Sequence, residues 1–144
     1  FFFSMLLLDP SFLFCVICLA VPLHRTWLEQ PQTFHEDAVA YLTDPALIAG
    51  GVALALGLLC AVGGRGTRTR TEELVANWFL MNGAIIHITM DGLTGGWHML
   101  PLMYKNYIKV DRRFETDEIN SWLVTQLELF LMGPLCLLTY VAYK

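Results

Sequence analysis

Three ionisable side chains lie inside apolar parts of this 144-residue chain. His87 and Asp91 stand four residues apart in the apolar run from Trp78 to Leu93, and Glu128 lies in the last apolar run. A spacing of four places His87 and Asp91 on one face of a helix. Ionisable groups inside a membrane are costly unless they pair, line a cavity or do chemistry. Because a buried acid beside a buried base can move protons on an otherwise unreactive apolar molecule, these residues predict proton transfer.

The last apolar run carries a second pair, because Thr125 and Glu128 are three residues apart and share a helical face. If the helix bearing His87 and Asp91 packs against this run, the four side chains meet in one apolar pocket. We therefore take His87, Asp91, Thr125 and Glu128 as the candidate catalytic residues. A structural interpretation stays open, since polar side chains also join membrane helices by hydrogen bonds worth about 1 kcal/mol or less each.

The composition is that of a membrane protein. Hydrophobic residues make up 56% of the chain and charged residues only 15%, and the mean hydropathy is +0.52. An ordinary soluble domain is less apolar and carries more charge. The net charge is −4 and the basic residues are mixed with acids, which excludes nucleic acid as a partner. The predicted fold class is all-α, a polytopic bundle of about four transmembrane helices.

Four apolar segments are predicted to span the membrane, which takes roughly 20 residues per helix. They cover residues 4–23, 46–62, 74–93 and 122–143. The first is predicted to be retained rather than cleaved as a signal peptide, because no basic region precedes it. Its Asp9-Pro10 pair is expected to kink or end a helix.

Residues that cap helices precede two of these segments. Asp44-Pro45 is predicted to cap the second segment with a carboxylate and to place a proline in the first helical turn. The third segment is entered through Thr71-Glu72-Glu73, whose hydroxyl and carboxylates suit a helix N-terminus.

The cysteines do not indicate a metal or redox site. Cys15 and Cys18 have the C-x-x-C spacing, but neither a second pair nor a nearby histidine ligand accompanies them. Small buried thiols are the better interpretation. The sequence therefore predicts neither a metal nor a cofactor.

Three stretches carry a further pattern. The first has Trp78-Phe79, Gly83, Ile85-Ile86-His87 and Asp91-Gly92; the second has Tyr104-Lys105-Asn106-Tyr107, Lys109, Asp111 and Arg113-Phe114; the third is Gly133-Pro134-Leu135. In this order they resemble the emopamil-binding protein family, the EXPERA-domain membrane proteins. The corresponding family patterns are W-F-x3-G-x-I-H-x3-E-G in the second helix, W-K-E-Y-x-K-x-D-x-R-Y in the loop, and G-P-L in the third helix. The likeness divides the chain into residues 1–43, an amino-terminal transmembrane segment and polar loop outside the match, and residues 44–144, an EXPERA-like three-helix membrane region.

The resemblance implies a sterol Δ8-Δ7 isomerase of the endoplasmic reticulum. Such an enzyme protonates the sterol double bond, passes through a carbocation and removes a proton from the neighbouring carbon. His87 and Asp91 stand at the family's His and Glu positions. Where the family has Glu followed three residues later by Thr, this chain has Thr125 followed by Glu128. The exchange moves the carboxylate by roughly 4.5 Å along the helix axis.

Two functional hypotheses follow. The first is a membrane protein with a pocket for a sterol or another apolar ligand, which isomerises the sterol if it is active. The second is a non-catalytic accessory subunit that keeps the family scaffold in a larger membrane complex, in the mitochondrial inner membrane, with other membrane subunits or a second copy as partners. The second rests on the exchanged Thr125 and Glu128, on the added amino-terminal helix and on the lack of counterparts to the family's last two of five spans. A proton-relay component of a transporter ranks last, because too few spans are present.

Overall fold

The computed structural model describes residues 9–61, 68–110, 112–116 and 118–144. Within these ranges all regular structure is helical, which confirms the predicted all-α class. The helices are α1 (Pro10–Glu29), α2 (Phe34–Leu42), α3 (Pro45–Ala61), α4 (Arg70–Met81) with its π-helical continuation Asn82–Gly96, α5 (Pro101–Val110), the 3-10 turn Arg112–Phe114, and α6 (Ile119–Leu127), which runs through the π-helix Glu128–Met132 into α7 (Gly133–Tyr143). We call residues 70–96 the central helix and Ile119–Tyr143 the last helix.

Two or three of the described helices could cross a membrane. α1 and the last helix are long and apolar enough by themselves, and α2 with α3 would form a third span bent by 44°. The central helix does not reach the same apolarity, because Asn77, Asn82, His87 and Asp91 interrupt it. It contacts α1, α3 and the last helix, so other helices rather than lipid surround much of it. A helical membrane bundle therefore fits, whereas the predicted four spans are not confirmed.

The break predicted at Asp9-Pro10 coincides with the start of α1, inside the predicted segment. Residues 4–8 of the predicted segment lie outside the described residues. Asp9 Oδ1 accepts a hydrogen bond from the backbone N–H of Ser11 at 2.8 Å, so Asp9 caps the helix and Pro10 begins it. The buried Asp9 carboxylate also accepts a hydrogen bond from Asn77 Nδ2 at 3.0 Å. This contact joins α1 to the central helix.

The predicted cap of α3 is confirmed, although Val62, the last residue of the predicted segment, lies outside the described residues. Asp44 Oδ1 accepts a hydrogen bond from the backbone N–H of Ala46 at 2.8 Å. Its Oδ2 accepts a second bond from the backbone N–H of Leu100 at 3.2 Å, in the connection that follows the central helix. Leu100 is fully buried and has a positive φ of 54°. Asp44 therefore caps one helix and holds an otherwise strained turn against it.

We expect Asp44→Ala to lower the free energy of unfolding by about 1–3 kcal/mol, because the cap is lost and a backbone donor loses its partner. Denaturation of the purified protein by SDS in mixed micelles would measure the change. Glu29→Ala is the matched control, since Glu29 is an exposed carboxylate at the end of α1. Equal unfolding midpoints for the two variants would contradict the role of Asp44.

The central helix begins at a capping box, two residues before the predicted Thr71. The Thr69 hydroxyl accepts a hydrogen bond from the backbone N–H of Glu72 at 3.3 Å. The Glu72 carboxylate in turn accepts one from the backbone N–H of Thr69 at 2.7 Å. That backbone hydrogen bond lowers the pKa of Glu72. The reciprocal pair satisfies two amide groups at the helix start.

Glycines allow the central helix and the last helix to approach closely. A Cβ added at Gly92 would lie 2.7 Å from the Leu129 Cβ, and one added at Gly133 would lie 2.6 Å from the Ile88 Cγ1. Small residues at such positions are typical of packed membrane helices, where backbones come near each other. The two helices that carry the candidate residues are therefore in direct contact.

Candidate functional site

The candidate residues lie in π-helical stretches of both helices. His87 and Asp91 belong to the π-helix Asn82–Gly96, and Glu128 is the first residue of the π-helix Glu128–Met132. The π-helix is rare and frequently marks functional sites. Its i→i+5 hydrogen bonds change which side chains share a face, so α-helical spacing rules no longer apply without correction.

Local sequence supports this geometry in both helices. In the last helix the backbone N–H of Gly133 donates to the carbonyl of Glu128, five residues earlier, and Pro134 has no N–H to continue an α-helical pattern. In the central helix the hydroxyls of Thr89 and Thr94 each donate to the carbonyl five residues earlier, at 2.9 and 2.8 Å. Both threonines are fully buried. Their hydroxyls thus bond to the carbonyls across the wider turn.

Three of the four predicted site residues come together. One ligand-type atom from each of His87, Asp91 and Glu128 lies within 4.8 Å of the other two. His87 Nδ1 and Asp91 Oδ2 are 3.9 Å apart, and the two side chains are only 13% and 16% exposed. Glu128 is partly buried. We call these three residues the His-Asp-Glu cluster.

Thr125 has a different environment. Its side chain is fully buried, and its hydroxyl donates to the carbonyl of Trp122 at 2.7 Å within the last helix. A Cβ added at Gly96 would lie 2.4 Å from the Thr125 Oγ1, so Thr125 packs against the end of the central helix. The described contacts give Thr125 a packing position.

Two further residues hold the cluster, and sequence reasoning did not assign them to it. Asn82 Nδ2 lies 3.0 Å from His87 Nε2, and the hydroxyl of Tyr107 donates a hydrogen bond to Asp91 Oδ1. Asn82 is five residues from His87, a spacing that matches a π-helix and not an α-helical face. Tyr107 belongs to the loop pattern of the resemblance, which was the available signal for it.

Tyr107 lies in α5 and is held in place by packing against Phe114 and against the end of the central helix. Its ring meets the ring of Phe114 edge to face, with centroids 4.9 Å apart. A Cβ added at Gly95 would lie 3.3 Å from the Tyr107 ring. The absence of a side chain at Gly95 thus lets the tyrosine approach the helix and reach Asp91.

The imidazole of His87 has one satisfied and one unsatisfied nitrogen. Nε2 faces Asn82, whereas Nδ1 is buried and has no hydrogen-bond partner among the described residues. The separation of 3.9 Å between Nδ1 and Asp91 Oδ2 exceeds hydrogen-bond length. The unpartnered nitrogen therefore lies beside two carboxylates, those of Asp91 and Glu128.

The chain matches no family model, no curated protein and no solved structure. The resemblance to the emopamil-binding family therefore rests on the three sequence motifs alone.

Two cavities of useful size lie near the site. One, of about 310 Å³, is at the polar end of the last helix and is lined by Gly95, Gly96, His98, Arg113, Phe114, Glu118, Ile119, Ser121 and Trp122. The other, of about 330 Å³, lies between α1 and the central helix and is lined by Pro10, Ser11, Phe14, Cys15, Trp78, Met81, Asn82 and Ile86. We call the second the lateral cavity. Small-molecule pockets occupy roughly 300–1,000 Å³, so both are large enough for part of a ligand.

Proposed function

We propose that the chain is an integral membrane protein of the emopamil-binding type, with four spans, that binds a sterol or a similar apolar molecule and shifts its double bond by proton transfer. The observation that carries this proposal is the convergence of His87, Asp91 and Glu128 from two packed apolar helices. Ionisable groups in such surroundings are retained where they pair or do chemistry. The endoplasmic reticulum is the location that this proposal implies.

The reaction needs one group that donates a proton and one that accepts a proton. The donor protonates one carbon of the double bond and leaves a carbocation at the other, and the acceptor removes a proton from the next carbon beyond the cation, so the double bond moves. Return of that proton from the acceptor to the donor restores both groups, so no proton is consumed overall. Asp91 Oδ1 already accepts a hydrogen bond from the Tyr107 hydroxyl, so one of its two oxygens is engaged. We therefore assign Glu128 as the proton donor and His87, oriented beside Asp91, as the acceptor.

The lateral cavity supports an apolar ligand. Most of its lining is apolar, and the aromatic side chains of Phe14 and Trp78 are 58% and 50% exposed. Asn82 belongs to this lining and also contacts His87. A flat apolar molecule that enters from the lipid side would thus approach the cluster through Asn82.

Sterol turnover by the purified protein tests the proposal. The tag-free chain in detergent is incubated with a Δ8-sterol, and the products are separated and identified. We expect the Δ7 isomer to accumulate in proportion to protein concentration. The proposal fails if the protein forms no Δ7 product and also shows no binding of a labelled sterol that unlabelled sterol can compete.

Filling the lateral cavity tests the entry route. We expect Ser11→Trp to weaken sterol binding at least tenfold, because Ser11 lines the cavity and does not belong to the His-Asp-Glu cluster. Ala20→Trp is the matched control, since Ala20 is exposed on the same helix and does not line the cavity. Competition with a labelled sterol measures both variants. Equal affinities would show that ligands enter elsewhere.

A non-catalytic subunit is the second candidate. Neither of the two cavities above is lined by Asp91 or Glu128, and Gly92 packs its helix tightly against Leu129. In that case the cluster joins helices of a scaffold within a larger complex of the mitochondrial inner membrane. Native mass spectrometry of solubilised membranes separates the candidates, because a free monomer that binds sterol would argue against a subunit.

A further inference from the structure

The His-Asp-Glu cluster has the composition of a metal site as well as that of an acid-base site. An imidazole and two carboxylates from two different helices bring one ligand atom each within 4.8 Å of the others. The close contact of Gly92 with Leu129 sets the spacing of these helices next to the cluster. The three side chains therefore stand on packed helices rather than on loops.

His87 offers a nitrogen that no described residue satisfies. Nδ1 is buried without a partner, while Nε2 on the far side of the ring lies 3.0 Å from the Asn82 amide. A buried polar atom without a partner destabilises the folded protein. Histidines that bind metals use one ring nitrogen as the ligand and fix the ring through the other. The amide of Asn82 can present its oxygen to Nε2 for this purpose, since its two ends are interchangeable by rotation.

The two carboxylate oxygens of Asp91 also have different surroundings. Its Oδ1 accepts a hydrogen bond from Tyr107, and its Oδ2 faces His87 Nδ1 at 3.9 Å. Ligand atoms around a tetrahedral ion with bonds of about 2.0–2.1 Å are roughly 3.3 Å apart. Separations of at most 4.8 Å close to that value if each side chain moves by less than about 1 Å, which small adjustments of the side-chain torsions can supply.

Charge and donor type select the ion. Two carboxylates and a neutral imidazole carry a charge of −2, which a divalent cation neutralises in surroundings where charge is costly. One nitrogen and two oxygens suit Zn²⁺, Mn²⁺ or Fe²⁺ better than Cu⁺, which prefers sulfur, or Ca²⁺, which needs six or more oxygens. We propose that His87, Asp91 and Glu128 bind one divalent transition-metal ion, with Asn82 and Tyr107 orienting two of the ligands.

This inference does not depend on the proposed function. A bound cation and a retained proton are alternative ways to neutralise the same carboxylates, so an added metal should inhibit proton transfer by competing for the cluster. Metal binding is measured without sterol. Its outcome therefore stands whether or not the isomerase assay succeeds.

Zn²⁺ binding to the intact chain tests the inference. Tag-free protein in detergent is dialysed against buffered Zn²⁺, and bound metal is counted by mass spectrometry. We expect one ion per chain, and at least a hundredfold weaker binding in Glu128→Gln and His87→Ala. Tyr107→Phe keeps all three ligands but should weaken binding about 10–100-fold, because an outer partner is lost. His24→Ala, an exposed histidine on α1, is the matched control and should bind as the unaltered chain does.

Three results would overturn the inference. The first is absence of Zn²⁺ binding to the unaltered, correctly folded chain. The second is undiminished binding in Glu128→Gln with circular dichroism unchanged. The third is thiolate-to-metal charge transfer in the Co²⁺-loaded protein, which would place the ion on a cysteine such as Cys15. A Co²⁺ spectrum with only nitrogen and oxygen ligands, lost in His87→Ala, would support it.

Discussion

Glu128→Gln is expected to lower the rate of sterol isomerisation by a factor of at least about 100. Glutamine keeps the size of the side chain and removes the proton that the assigned donor delivers. We expect sterol binding to change little, because the substitution leaves the shape of the site unchanged. A fall in turnover without a fall in affinity is the pattern of a group that acts in the transition state. Product analysis and sterol competition on the same preparation measure the two quantities.

Two controls make that result specific. Glu29→Gln removes an exposed carboxylate at the end of α1 and should leave the rate unchanged. A reaction in D₂O should place deuterium in the product, because the donated proton exchanges with solvent before it reaches the sterol. Full activity of Glu128→Gln would contradict its assignment as the proton donor.

Gly92→Ala is expected to destabilise the protein by overpacking the contact between the central helix and the last helix. The added Cβ would lie 2.7 Å from the Leu129 Cβ and 2.8 Å from the carbonyl oxygen of His87, neither of which is the end of a flexible side chain. Overpacking of this kind costs about 1–3 kcal/mol. It outweighs the preference of a helix for alanine over glycine, which is about 1 kcal/mol. We expect a lower free energy of unfolding and, because the helices separate, weaker Zn²⁺ binding by the cluster.

Gly51→Ala is the matched control for this prediction. Gly51 is an exposed glycine of α3, and an added Cβ there meets nothing within 4 Å. The helix preference then acts alone, so the free energy of unfolding should rise or stay constant. SDS denaturation of both variants measures the contrast in sign. Equal shifts in the same direction would contradict close packing at Gly92.

Structural features that depend on residues close together in the chain could be predicted from the sequence. The apolar composition indicated a helical membrane protein, and the order Asp44-Pro45 indicated the start of α3. The four-residue spacing of His87 and Asp91 placed them near each other. Each of these depends on local periodicity or capping, which act over one or two helical turns.

Local rules gave less where capping or a change of helix type decides the geometry. At Asp9-Pro10, where a break was predicted, the structure adds that the Asp9 carboxylate caps the helix that begins there. The rule that residues three apart share a face suggested one site for Thr125 and Glu128. The last helix changes from α to π at Glu128, and the hydroxyl of Thr125 bonds within its own helix.

The sequence by itself determined which residues are ionisable within apolar helices and which pairs share a helix. Only the tertiary structure decided that Glu128 joins His87 and Asp91, that Thr125 does not extend the cluster by its described contacts, and that Tyr107 supports it. The physical reason is that contacts between helices depend on how closely the backbones approach and on how each helix is rotated. Glycine contacts set how closely the backbones approach, and π-helical turns change how each helix is rotated. The spacing of polar residues along one helix reveals neither.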